Sequence, residues 1–123
     1  MNKIMKKNIL LFSVVLVVFF LVGCGDSETT HIELKTQVSA DHKYIYIQNK
    51  DDFVWENVEI TINKEYKMEL DFLARGKSSL EIFEFTRKNG ERFDPALKKI
   101  KDITIYVPET EEREDGFWLG RFN

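Results

Sequence analysis

Residues Tyr66 to Leu73 spell YKMELDFL. Tyr66, Met68, Leu70 and Phe72 alternate with Lys67, Glu69 and Asp71. An extended chain sends successive side chains to opposite faces, so this segment has one apolar face and one charged face. On a helix the same apolar residues would scatter around the axis. The stretch is therefore a half-buried strand. Upstream, NVEITIN repeats the pattern with Val58, Ile60 and Ile62 against Glu59 and Thr61. Downstream, KDITIYV sets Ile103, Ile105 and Val107 against Asp102, Thr104 and Tyr106. In KYIYIQN, Tyr44 and Tyr46 share one face and Ile45 and Ile47 the other, which suits a central strand covered on both faces.

Working outward, the pattern predicts seven strands: 31–38, 43–49, 54–62, 66–73, 78–86, 101–107 and 116–122. Turn chemistry separates them. Ser39–His42, Asn49–Asp52, Asn63–Glu65, Arg75–Lys77 and the acidic run Glu109–Gly116 are polar breaks, and Asn89-Gly90 is a reverse-turn dipeptide. The one helical candidate is PALKKI, 95–100. Asp94 is placed to cap it, and Pro95 suits the first helical position. Short strands broken about every ten residues predict an all-β fold. The expected form is a single seven-stranded antiparallel β-sandwich over residues 31–123, of immunoglobulin or fibronectin type III style. A small β-barrel is the alternative. Trp55, Tyr66 and Phe72 are expected in its core, because aromatic side chains fill the most space between two sheets.

The N-terminus obeys different rules. Lys3, Lys6 and Lys7 precede a run from Ile9 to Val22 in which only Ser13 is polar. As a helix, that run would cover roughly 21 Å, short of the ~30 Å hydrocarbon core of a bilayer. A basic start, a short apolar stretch and a small-residue end make a secretory signal. Leu21-Val22-Gly23-Cys24 closes it. These four residues resemble the lipobox of bacterial lipoprotein precursors. The resemblance implies cleavage between Gly23 and Cys24 by prolipoprotein-processing enzymes, with diacylglyceryl attached to the Cys24 thiol. It makes 1–23 a signal peptide and 24–30 a lipidated cysteine with a short tether. GDSETT, 25–30, would reach at most about 20 Å. Two acyl chains anchor durably where one does not. The expected location is thus the outer side of a cell membrane or an outer membrane. The rest of the chain resembles small exported immunoglobulin-like domains of unassigned function, with a Trp-containing strand followed by a Tyr strand and a Gly-Glu-Arg-Phe turn at Gly90–Phe93.

Composition narrows the partners. The chain has 21 acidic and 18 basic residues, a formal charge of −3, and three of the bases lie in the leader. Nucleic acid, whose phosphates need basic patches, is not an expected partner. Cys24 is the only cysteine, so no intramolecular disulfide can form.

Candidate chemistry is sparse. Ser39, Asp41 and His42 have the residue types of a hydrolase triad, but a triad is assembled from distant elements, and these belong to one turn. No G-x-S-x-G elbow is present. Asp51-Asp52 and ETEERED, Glu109 to Asp115, offer oxygen ligands, yet lack the spacing of a calcium loop. No cofactor and no metal site is expected, and no catalytic residue is nominated. Phe93 is expected to plug one end of the sandwich, with Arg92 and Asp94 paired at the surface. In GFWLGRF, Phe117, Leu119 and Arg121 fall on one face, and Trp118, Gly120 and Phe122 on the other. Trp118 and Phe122, with Tyr106 on the preceding strand, are the candidate binding surface, and Gly120 leaves room for a ligand to approach. The expectation is a non-enzymatic binding or accessory module for an envelope protein, a peptide or a wall component. An envelope hydrolase and a structural spacer are the alternatives.

Overall fold

In this computed structural model, which describes residues 31–122, the alternating segments become eight strands. They are β1 (Ile32–Glu33), β2 (Thr36–Ala40), β3 (Tyr44–Asn49), β4 (Trp55–Ile62), β5 (Tyr66–Leu73), β6 (Gly76–Glu81), β7 (Asp102–Val107) and β8 (Gly116–Arg121). The expected leader, the expected cleavage site between Gly23 and Cys24 and the expected tether to Thr30 lie outside the described residues. Two sheets form, ordered β1-β8-β7-β4-β5 and β2-β3-β6. The fold is an all-β sandwich, and the described residues form no closed barrel.

The core lies between the sheets. Val58, Ile60, Ile62, Ile103 and Ile105 come from the larger sheet and Ile45 and Ile47 from the smaller, all essentially without solvent contact. Trp55, Tyr66, Phe85 and Phe93 fill the remaining volume. Phe93 meets Tyr66 edge to face, with ring centroids 5.1 Å apart. β3 is central in its sheet, as its pattern predicts, but only one of its faces is covered: Tyr46 remains exposed on the other.

Four expectations are corrected. The first predicted strand, 31–38, is two strands in different sheets. β1 runs parallel to β8, and β2 runs antiparallel to β3. The chain crosses at Leu34-Lys35, where Leu34 is buried and the Lys35 N–H donates to the Asp51 carboxylate at 3.3 Å. The sandwich is therefore eight-stranded with one parallel pair. The predicted strand 78–86 begins at Gly76 and ends at Glu81 in a 3-10 turn, Ile82–Glu84, which turns both Ile82 and Phe85 inward.

The predicted helix 95–100 is one turn. Asp94 does cap it, accepting from the Ala96 N–H at 2.9 Å through its side chain and from the Leu97 and Lys98 N–H groups through its carbonyl. Beyond Lys98 the chain returns to the sheet. Asn63 holds it there, accepting from the Lys101 N–H at 2.7 Å and donating to the Lys99 carbonyl at 2.9 Å. Asn63 and Lys64 have φ of 53° and 62°, so the β4–β5 connection is a left-handed turn that favours asparagine.

The fourth correction concerns Phe72, which is 65% exposed. The inward face changes parity within the β4–β5 hairpin. Val58 opposite Leu70 points inward, and so does Trp55 opposite Leu73. Between them Glu56 opposite Phe72 points out. Asn57, with φ of 53°, is the residue at which the alternation breaks. Asparagine tolerates that region better than other side chains with a Cβ.

Candidate functional site

The last two strands carry exposed apolar side chains side by side on one face. Register fixes which side chains share it. Tyr106 lies opposite Phe117, Thr104 opposite Leu119 and Ile105 opposite Trp118. Ile105 is in the core, so Trp118 shares the inner face, while Phe117, Leu119 and Tyr106 share the outer one. They are 41%, 43% and 36% exposed and adjacent across β7 and β8. Monomeric domains rarely leave contiguous large apolar groups in water without use for them.

Beside this patch the sheet is incomplete. β1 covers only the start of β8: Ile32 N–H donates to the Asp115 carbonyl at 2.9 Å and Leu34 N–H to the Phe117 carbonyl at 3.2 Å. From Trp118 onward that edge has no strand partner among the described residues. A depression of about 310 Å³ opens there, lined by His31, Ile32, Glu33, Phe117, Trp118 and Leu119. Asp115 fixes its rim. Its carboxylate oxygens meet His31 Nδ1 at 2.9 Å and accept from the Tyr106 hydroxyl at 3.2 Å. Burial, and then this bond, hold the Tyr106 hydroxyl above its ordinary pKa.

The three residues nominated from sequence are thus divided. Tyr106 is on the outer patch. Trp118 and Phe122 are partly buried and pack against the core from the inner face. Trp118 reaches the depression only at the sheet edge. The space beside Gly120 is filled by the Trp118 indole itself, so no ligand enters it. Phe117 and Leu119 are what sequence reasoning left out. Their alternation is visible in GFWLGRF, but only the pairing of Trp118 with Ile105 shows which face looks outward.

The outer face of the smaller sheet carries a second, polar depression of about 500 Å³. Gln37, Gln48 and Lys77 form one row across it, and Ser39, Tyr46 and Ser79 the next. Tyr46 is held by Asp41, whose carboxylate accepts the hydroxyl at 2.6 Å and the Lys43 and Tyr44 N–H groups at 2.8 and 2.7 Å. These bonds hold the Asp41 carboxyl down to about 2 and raise the Tyr46 hydroxyl. Asp41 is thus committed to closing the β2–β3 turn. Among the described residues, no side-chain hydrogen bond links Ser39, Asp41 and His42 to one another.

Other polar side chains brace the framework. Asp51 accepts the Trp55 indole N–H at 2.9 Å and lies against Asn49, whose amide reaches the Phe53 and Leu73 carbonyls. Arg113, inside the acidic run, stacks on Phe53 with its guanidinium carbon 3.8 Å from the ring centroid. Arg92 pairs with Glu84 at 3.4 Å and covers Phe83, instead of meeting Asp94. Among the described residues no three or more His, Cys, Asp or Glu side chains gather as a metal site would require. Compared with known protein families, curated proteins and solved structures, the chain matches none.

Proposed function

We propose that this chain is an envelope lipoprotein, anchored through Cys24, whose sandwich domain binds another envelope protein, a peptide or a wall component and carries out no catalysis. The observation that carries the reading is the outer patch of Tyr106, Phe117 and Leu119 beside the open edge of β8. An extended segment can add to such an edge through backbone hydrogen bonds while its side chains rest on the apolar groups. Lipid anchorage, supported by the lipobox, keeps the domain within a tether's length of its partners.

Photo-crosslinking in intact cells tests this. A benzophenone side chain at Phe117 is expected to yield one defined adduct, with a protein or with wall material. The same group at Lys88, on an exposed turn, is expected to yield none. Equal labelling at the two positions, or no adduct at Phe117, would remove the patch as a binding surface and leave the domain a spacer.

A further inference from the structure

The smaller sheet ends in a strand with an open edge along its full length. β6 pairs with β3 on one side and with nothing on the other among the described residues. The Ile82 N–H donates to the Lys43 carbonyl at 2.9 Å, which fixes the alternation of backbone groups along β6. Gly76, Ser78 and Leu80 direct their N–H and C=O groups at β3. Lys77, Ser79 and Glu81 direct theirs outward. Such an edge is a template for another strand.

From the charges on this edge we infer that β6 pairs antiparallel with β6 of a second copy of this chain, joining the two smaller sheets into one of six strands. Lys77 and Glu81 stand two places either side of Ser79, carry opposite charge and lie on the same exposed face. A two-fold axis through Ser79 places Ser79 opposite Ser79, Lys77 opposite Glu81 and Glu81 opposite Lys77. Every outward backbone group then meets a donor or acceptor, and opposite charges sit in directly facing positions, where cross-strand pairs are strongest. The contact is the same patch on both copies, as a closed dimer requires. On the inner face Leu80, already packed against the core, comes within diagonal reach of its own copy.

The other edges are less suited: on β5, Thr86 already bridges Lys67, and self-pairing centred on Glu69 would set Lys67 against Asp71 but also oppose two glutamates. β2 carries no charged residue. On β8 the edge is blocked by β1 as far as Phe117, and self-pairing centred on Arg121 would oppose two arginines. The inference is independent of the apolar patch, which lies on the outer face of the other sheet.

Charge exchange tests it on the full chain in non-ionic detergent, by sedimentation equilibrium. The wild type is expected to show a monomer–dimer equilibrium. Lys77→Glu places an acid against Glu81 of the other copy, twice over, and Glu81→Lys likewise opposes two bases. Each is expected to weaken self-association roughly tenfold or more. The Lys77→Glu/Glu81→Lys chain restores opposite charges and is expected to dimerise as the wild type does. The two single variants, mixed, are expected to associate with each other, because every facing pair is again complementary. A wild type that stays monomeric at about 1 mM, a floor for specific association, overturns the inference. So does dimerisation indifferent to these substitutions, or a charge-exchanged chain that stays monomeric. Both substituted residues are on the exposed edge, so folding, read by circular dichroism, is expected to be unchanged.

Discussion

The indole of Trp118 lies across Gly120: a Cβ built on Gly120 would sit 2.1 Å from Trp118 Cη2. Two residues of one strand face thus act as a single packing unit, the glycine supplying the space that the ring occupies. Gly120→Ala would displace the ring from the core edge. The expected cost is about 1–3 kcal/mol, the usual range for overpacking, with a change in the near-ultraviolet dichroism of Trp118. Unchanged dichroism and an unchanged unfolding midpoint would contradict the arrangement.

Trp55 and Asp51 hold the turn between β3 and β4. Trp55→Phe keeps an aromatic ring but leaves the buried Asp51 oxygen without its indole donor. The expected loss is about 2–4 kcal/mol, from the lost volume and the lost indole donor together, which leaves that oxygen only the 3.3 Å bond from the Lys35 N–H. Urea denaturation measures it. Phe72→Ser, on the outer face, is expected to cost far less, although sequence alone ranks the two residues together.

Asp41 introduces a pH dependence of definite sign. Its carboxyl is held near 2 against an ordinary 3.8, mainly by the Tyr46 hydroxyl and the Tyr44 and Lys43 N–H groups. The unfolded chain therefore takes up this proton first. The stabilisation is complete above the ordinary value and disappears as pH falls through about 2. Asp41→Asn is expected to remove this contribution to acid sensitivity and leave stability at neutral pH lower. An NMR titration of the Asp41 carboxyl with a midpoint near 3.8 would show that the bonds are not kept in solution.

The proposed anchor rests on Cys24. Wild-type chain from cell membranes is expected to lack residues 1–23, to carry added lipid mass and to partition with membrane. Cys24→Ser is expected to be neither lipidated nor cut before residue 24. Intact mass and detergent partitioning check both. If the two proteins keep their leaders and partition alike, the lipoprotein reading fails while the sandwich is untouched.

Most of the fold was legible because a half-buried strand writes its two faces into the chain. The segments around Val58–Ile62, Tyr66–Leu70 and Ile103–Val107 lie in the sheet with the faces their alternation predicts. The turns at Asn63 and Asn89-Gly90 formed where their chemistry placed them: Gly90 has φ of 85° and closes a bond to Arg87 at 2.8 Å. Alternation failed at Phe72, because one left-handed residue, Asn57, shifts the parity and nothing in the flanking pattern marks the shift. It failed again at Leu34-Lys35, where a continuous apolar pattern hides a passage from one sheet to the other.

By itself the sequence determined the class of the fold, the positions of its turns, and an expectation of where the chain is delivered. These are local properties, set by side-chain period, turn propensity and a four-residue motif. Which face of β8 looks into water, which strand edges stay open, and that Lys77 and Glu81 flank one of them were decided by tertiary structure. Each depends on strands far apart in the chain being brought side by side, and a period of two names two faces without saying which one the other sheet will cover.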